Sequence, residues 1–134
     1  MEQTSKSVKA HVVILKRALG TLSEALLAPF NDLVRDAVIQ RFEYVFELSW
    51  KTIQVAAKYM GVSCNSPREA IKTAFKLNWI SNVDIWYEAL EARNETSHTY
   101  NQAIAEEVYK TAKAFVPLVE KLVTSLEVNS SLPE

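Results

Sequence analysis

One stretch of ten residues, EARNETSHTY at 91–100, gathers an arginine, an asparagine, a histidine, a tyrosine and three hydroxyl-bearing side chains. The Arg93 guanidinium offers a planar fork of donors suited to phosphate oxygens. An imidazole such as His98 exchanges protons near neutral pH. Tyr100 brings a hydroxyl that can position a substrate or accept a transferred group, and Asn94 adds an amide. Together the four suit a phosphate or a nucleotide. A plainer reading stands beside this one: a polar helix end, with Arg93 paired to Glu91 or Glu95 of a neighbour and His98 donating to free carbonyls. On an unbroken helix, Arg93 and His98 would diverge by roughly 140° about the axis. Either the chain turns between them, or they meet through a groove shared with another helix or another copy of the chain.

No second cluster competes with this one. Two isolated glycines cannot build a phosphate-cradling loop. Two histidines far apart and a single cysteine do not supply a zinc ligand set. The carboxylate pairs Glu43 with Glu47, and Glu106 with Glu107, read as charges on exposed helix faces. No metal and no cofactor is expected. His11 reads as a packed or solvated side chain rather than a ligand.

The elements that must position the decapeptide follow from apolar spacing. Val8, Val12, Leu15, Leu19, Leu22 and Leu26 recur in steps of four and three, predicting a helix from Ser5 to Leu27 that ends before Pro29. A second helix starts at Asn31 or Asp32 and runs to Met60, with Gly61 in the left-handed conformation. Its polar positions, from Asp36 through Gln40, Glu43 and Glu47 to Lys51, Gln54 and Lys58, form a narrow stripe, which makes it the central helix. Arg41 falls off that stripe and is a candidate for an ion pair or a snorkelling side chain. SPRE at 66–69 predicts a capping box opening a short third helix, and Asn78 is its left-handed terminator. Ser81 and Asp84 resemble a second capping box that opens a fourth helix, on which Trp86, Leu90 and Arg93 share a face. Ala105, Val108, Ala112, Phe115, Val119, Leu122 and Leu126 define a long fifth helix, with a kink expected at Pro117.

The fold class is therefore all-α, an antiparallel up-and-down bundle of about five helices. Residues 1–128 form one helical-bundle domain, and NSSLPE at 129–134 is expected to be a disordered tail. A formal net charge of -1 excludes a global basic field for nucleic acid. Charges interrupt every apolar run well short of the roughly 20 residues a membrane span requires. Without a signal-like start, and with one cysteine, a cytoplasmic location is expected. Phe42, Phe46 and Trp50 leave surplus apolar surface on the second helix, from which a homodimer is expected.

The segments RFEYVFELSWK, SPREAIKTAFK and IWYEALEARNETSHTYN resemble the bacterial and archaeal nucleotidyltransferase substrate-binding proteins, a branch of the all-helical HEPN superfamily. The resemblance covers roughly residues 38 to 123. Its most specific part is Arg93, four residues, His98, one residue and Tyr100, with Asn94 after the arginine. It implies a dimeric helical bundle that pairs with a separate minimal nucleotidyltransferase chain encoded nearby and presents Arg93, Asn94, His98 and Tyr100 to a nucleotide. It also implies an alternative, a metal-independent endoribonuclease toxin acting on RNA. In that reading Arg93 and His98 are catalytic, and the partner silences the chain by adenylylating Tyr100.

Overall fold

The computed structural model describes residues 5–130. Five α-helices follow one another: α1 (Ser5–Leu27), α2 (Asp32–Tyr59), α3 (Pro67–Lys76), α4 (Val83–Asn94) and α5 (Gln102–Ser130). A single 3-10 turn, Glu95–His98, separates the last two. Helix α5 carries Asn129 and Ser130, so the backbone is helical two residues into the segment expected as a tail, and the rest of that segment lies outside the described residues.

The ends of the helices are set by local chemistry. Asn31 caps α2 through Oδ1, which accepts from the Val34 amide at 2.8 Å. At its other end Gly61 takes φ 85°, and the Val62 amide reaches back to the Ala57 carbonyl at 2.8 Å. Helix α3 repeats this ending with Asn78 at φ 63° and the Trp79 amide on the Ala74 carbonyl at 2.9 Å. Ser66 caps α3 from its hydroxyl, while Glu69 reaches one residue further back than a capping box requires, accepting from the Asn65 amide at 2.8 Å.

The expected box of Ser81 and Asp84 does not form. Asn82 occupies the cap position without a side-chain bond, and at ψ 70° its backbone lacks the extended geometry seen at Asn31 and Ser66. Its carbonyl instead receives the Ile85 and Trp86 amides.

Helix α2 touches every other helix, as its narrow polar stripe demands, while α1 packs on α2 and α5. Thr21 meets Tyr44 and Glu24 meets Arg41, so numbering rises along α1 as it falls along α2 and the pair is antiparallel. Arg41 joins α1 by donating to the Thr21 carbonyl at 2.7 Å and pairing with Glu24, rather than snorkelling alone. His11 is satisfied within α1, its Nδ1 lying 2.8 Å from the Ser7 carbonyl.

Phe115 of α5 sits at the centre of the core, with its ring 4.9 Å from Trp86, 5.5 Å from Phe42 and 5.8 Å from Phe46. All four side chains are buried within the single chain. Phe42 and Phe46 are therefore core residues and not the surplus surface expected from the sequence; Trp50 is half-buried. The large apolar side chains left exposed are others, among them Leu27, Phe30 and Leu33 around the α1–α2 connection. Helix α5 is continuous through Pro117, whose ring lines a hollow beside Trp79 and Trp86. Among the described residues, no helix is long and apolar enough to cross a membrane.

Cys64 lies in the α2–α3 connection, 2% exposed, with its carbonyl held by Gln54 Nε2 at 2.8 Å. Burial first, and the Glu69 charge second, push its thiol above the ordinary value of 9.0. The thiolate is the reactive form, so the native chain should react with a disulfide reagent on the order of a hundredfold more slowly than the urea-unfolded chain. The stability linked to this group is complete at neutral pH and declines only as pH climbs past the unfolded thiol value toward the raised one.

Candidate functional site

The polar groups of the decapeptide divide into two sets. One set builds the corner. Thr96 Oγ1 donates to the Arg93 carbonyl at 2.7 Å and Thr99 Oγ1 to the Thr96 carbonyl at 3.1 Å, satisfying acceptors left where α4 ends. Asn101 then opens α5, its Oδ1 accepting from the Ile104 amide at 3.1 Å. This cap lies one residue beyond the decapeptide, and the periodicity of α5 gave no sign of it.

The second set takes no part in building the turn through its side chains. Arg93, in the last turn of α4, points inward to α2. His98 and Tyr100 sit on the turn into α5, both exposed, with ring centroids 6.2 Å apart in an edge-on arrangement. Tyr100 is 86% exposed. Asn94 is exposed too, its Oδ1 accepting from Arg93 NH1 at 3.3 Å.

The turn expected between Arg93 and His98 is therefore present, as the 3-10 segment Glu95–His98. Among the described residues, no hydrogen bond joins Arg93 to His98. Tyr100 instead borders a polar hollow of about 580 Å³ with Arg35, Asp36, Gln40, Glu43 and Thr99.

Arg93 pairs with neither Glu91 nor Glu95. Its NH2 donates to Oε1 of Glu47 on α2, 46 residues away in sequence. Glu47, expected as one more charge on an exposed face, is half-buried, and its second oxygen accepts from Trp50 Nε1 at 3.2 Å. Spacing along α2 carries no signal for this, because Glu47 and Gln54, seven residues apart on the polar stripe, are distinguished only by the neighbouring elements they turn toward. Among the described residues, no three His, Cys, Asp or Glu side chains are grouped closely enough to hold a metal ion.

An all-α bundle with an arginine, histidine and tyrosine at the α4–α5 corner can be set beside known proteins. The family model described as "Nucleotidyltransferase substrate binding protein like" matches residues 10–128. The chain belongs to that family. A curated relative, the probable ribonuclease HepT of Haemophilus influenzae, is 30% identical over 91 residues, which is 64% of this chain and 62% of that protein, so the match spans less than two thirds of the relative's length. A Thermus thermophilus protein known from its crystal structure superposes with a TM-score of 0.78 at 31% identity, covering 84% of this chain and 98% of its own. The Haemophilus influenzae protein HI0074 superposes with a TM-score of 0.67 at 23% identity over 92% of this chain and 99% of its own, which shows a shared fold. The HI0074 structure is described as having "the fold of a substrate binding domain of a nucleotidyltransferase".

Proposed function

We propose that this chain is the substrate-binding subunit of a two-chain nucleotidyltransferase. It forms a homodimer, associates with a minimal nucleotidyltransferase encoded by a neighbouring gene, and presents Arg93, Asn94, His98 and Tyr100 to a nucleotide or phosphate. The observation that carries this reading is the placement of His98 and Tyr100, exposed on a turn whose own carbonyls Thr96 and Thr99 already satisfy. Side chains that the fold does not consume, one turn past an arginine and in a chain of this family, are what a partner or a nucleotide would engage. Co-expression tests the proposal: the two chains should copurify through a tag on either one, and a nucleotidyltransferase that elutes alone would overturn it.

A second reading is favoured by one specific finding, the relative named as a probable ribonuclease. In this reading the chain is an endoribonuclease in which Arg93 stabilises charge building on a phosphate while His98 moves the proton of a ribose hydroxyl or leaving oxygen. Removing such a group costs about 10²–10⁴ in rate. His98→Ala should therefore abolish RNA cleavage by the purified chain, measured on a labelled oligoribonucleotide, and unchanged cleavage would exclude this chemistry.

A further inference from the structure

The Arg93 guanidinium is already occupied. Its NH2 meets Glu47 across the α2–α4 seam, and the side chains are 33% and 27% exposed, so water screens the pair only partly. Glu47 is itself held in place: Trp50, one turn further along α2, donates to the second oxygen, so both carboxylate oxygens are engaged. The arginine is less well served. NH1 reaches only the neighbouring Asn94, and Nε is buried with no hydrogen-bond partner. A buried donor left unpaired is costly, and Glu47 does not engage the bidentate Nε edge that a phosphate would use. This pose neutralises the arginine while leaving it a reason to move.

We propose that Glu47 is a latch on Arg93, competing with phosphate for the guanidinium, so that an anionic ligand must displace the carboxylate to reach it. This rests on the reading that Arg93 meets phosphate. A neutral pair presents no net positive charge, and the same flank of α2 adds Glu43, while α4 and its turn add Glu91 and Glu95. A chain with the latch closed is thus a poor anion binder, and whatever neutralises Glu47 makes it a better one. The ligand class is a nucleoside phosphate or a phosphodiester. The latch favours ligands whose phosphate can take both Nε and NH2 over those that offer one oxygen.

The probe is 5′-AMP, titrated by calorimetry into the purified chain. Glu47→Gln keeps the shape and removes the charge; Glu47→Met removes the hydrogen bond as well, and each variant is first checked for native helicity and thermal melting. Both should bind AMP about five- to tenfold more tightly than the wild type, the effect of removing one unit charge at this range. In the Arg93→Gln background, Glu47→Gln should bring no such gain. Affinity that is unchanged or weaker in both folded Glu47 variants overturns the latch, as does an equal gain in the Arg93→Gln background, which would mean a general charge effect. The site reading fails separately: Arg93→Gln would then bind AMP as the wild type does, whatever the Glu47 variants show.

Discussion

Phe115→Ala is expected to lower folding stability by roughly 3–5 kcal/mol, the usual cost of emptying a large aromatic site in a close-packed core. Against a total stability of about 5–15 kcal/mol for a domain, this is a large fraction. The reason lies in its neighbours. Phe115 is fully buried and meets Trp86 of α4 edge-on and Phe42 and Phe46 of α2, so one ring joins three helices. Loss of the ring would leave a cavity bounded by rigid aromatic groups, which collapse poorly around it. Thermal unfolding should show a midpoint lowered by roughly 10–20 °C. Phe30→Ala is the control: this ring makes one edge contact with Tyr109 and is 59% exposed, so its loss should cost about 1 kcal/mol or less. Equal losses in the two variants would contradict this description of the core.

The second large effect concerns Tyr100. If the partner transfers adenylate to this chain, the phenolic oxygen attacks the α-phosphorus of ATP, the bond to pyrophosphate breaks and the phenolic proton departs. An acceptor must be reachable, and of the five tyrosines in the sequence Tyr100 stands most clear of the fold. The Tyr44 hydroxyl is engaged with Thr21, the Tyr87 ring lies under Arg68, and Tyr109 packs against Phe30. Incubation with the partner and ATP should therefore add adenylate to the wild-type chain by intact mass. Tyr100→Phe should remain unmodified, an all-or-none difference. Equal modification of the two would move the acceptor elsewhere, and an unmodified wild-type chain beside an active partner would remove the modification altogether.

Much of the bundle was legible because apolar spacing and caps act locally. The bounds of α1, the Asn31 and Ser66 caps, and the left-handed Gly61 and Asn78 all follow from residues within a few positions of one another. The failures have physical causes of two kinds. Some caps were misplaced or missed: Asn82 took the position expected of Ser81 one residue before it, and Asn101 supplied a cap for α5 that apolar spacing does not mark.

Other properties depend on tertiary contact, which spacing along one helix does not contain. Glu47 shares a stripe with exposed residues, yet α4 brings Arg93 against it. Phe42 and Phe46 looked like surplus surface on a helix apolar on most sides, until α5 supplied Phe115 to cover them. At the corner itself, the sequence marked a dense polar stretch but not the division of labour within it. Thr96, Thr99 and Asn101 build the turn, and His98 and Tyr100 are carried on it.

Pairing with a nucleotidyltransferase is the function proposed for this chain, and one measurement bears on it most directly. The chain should be co-expressed with the minimal nucleotidyltransferase proposed as its partner, purified through a tag on one of the two, and its molar mass in solution determined by light scattering. A single species containing both chains, with two or more copies of this one, is the predicted result. Separate elution of the two proteins, each at the mass of its own oligomer, would contradict the pairing.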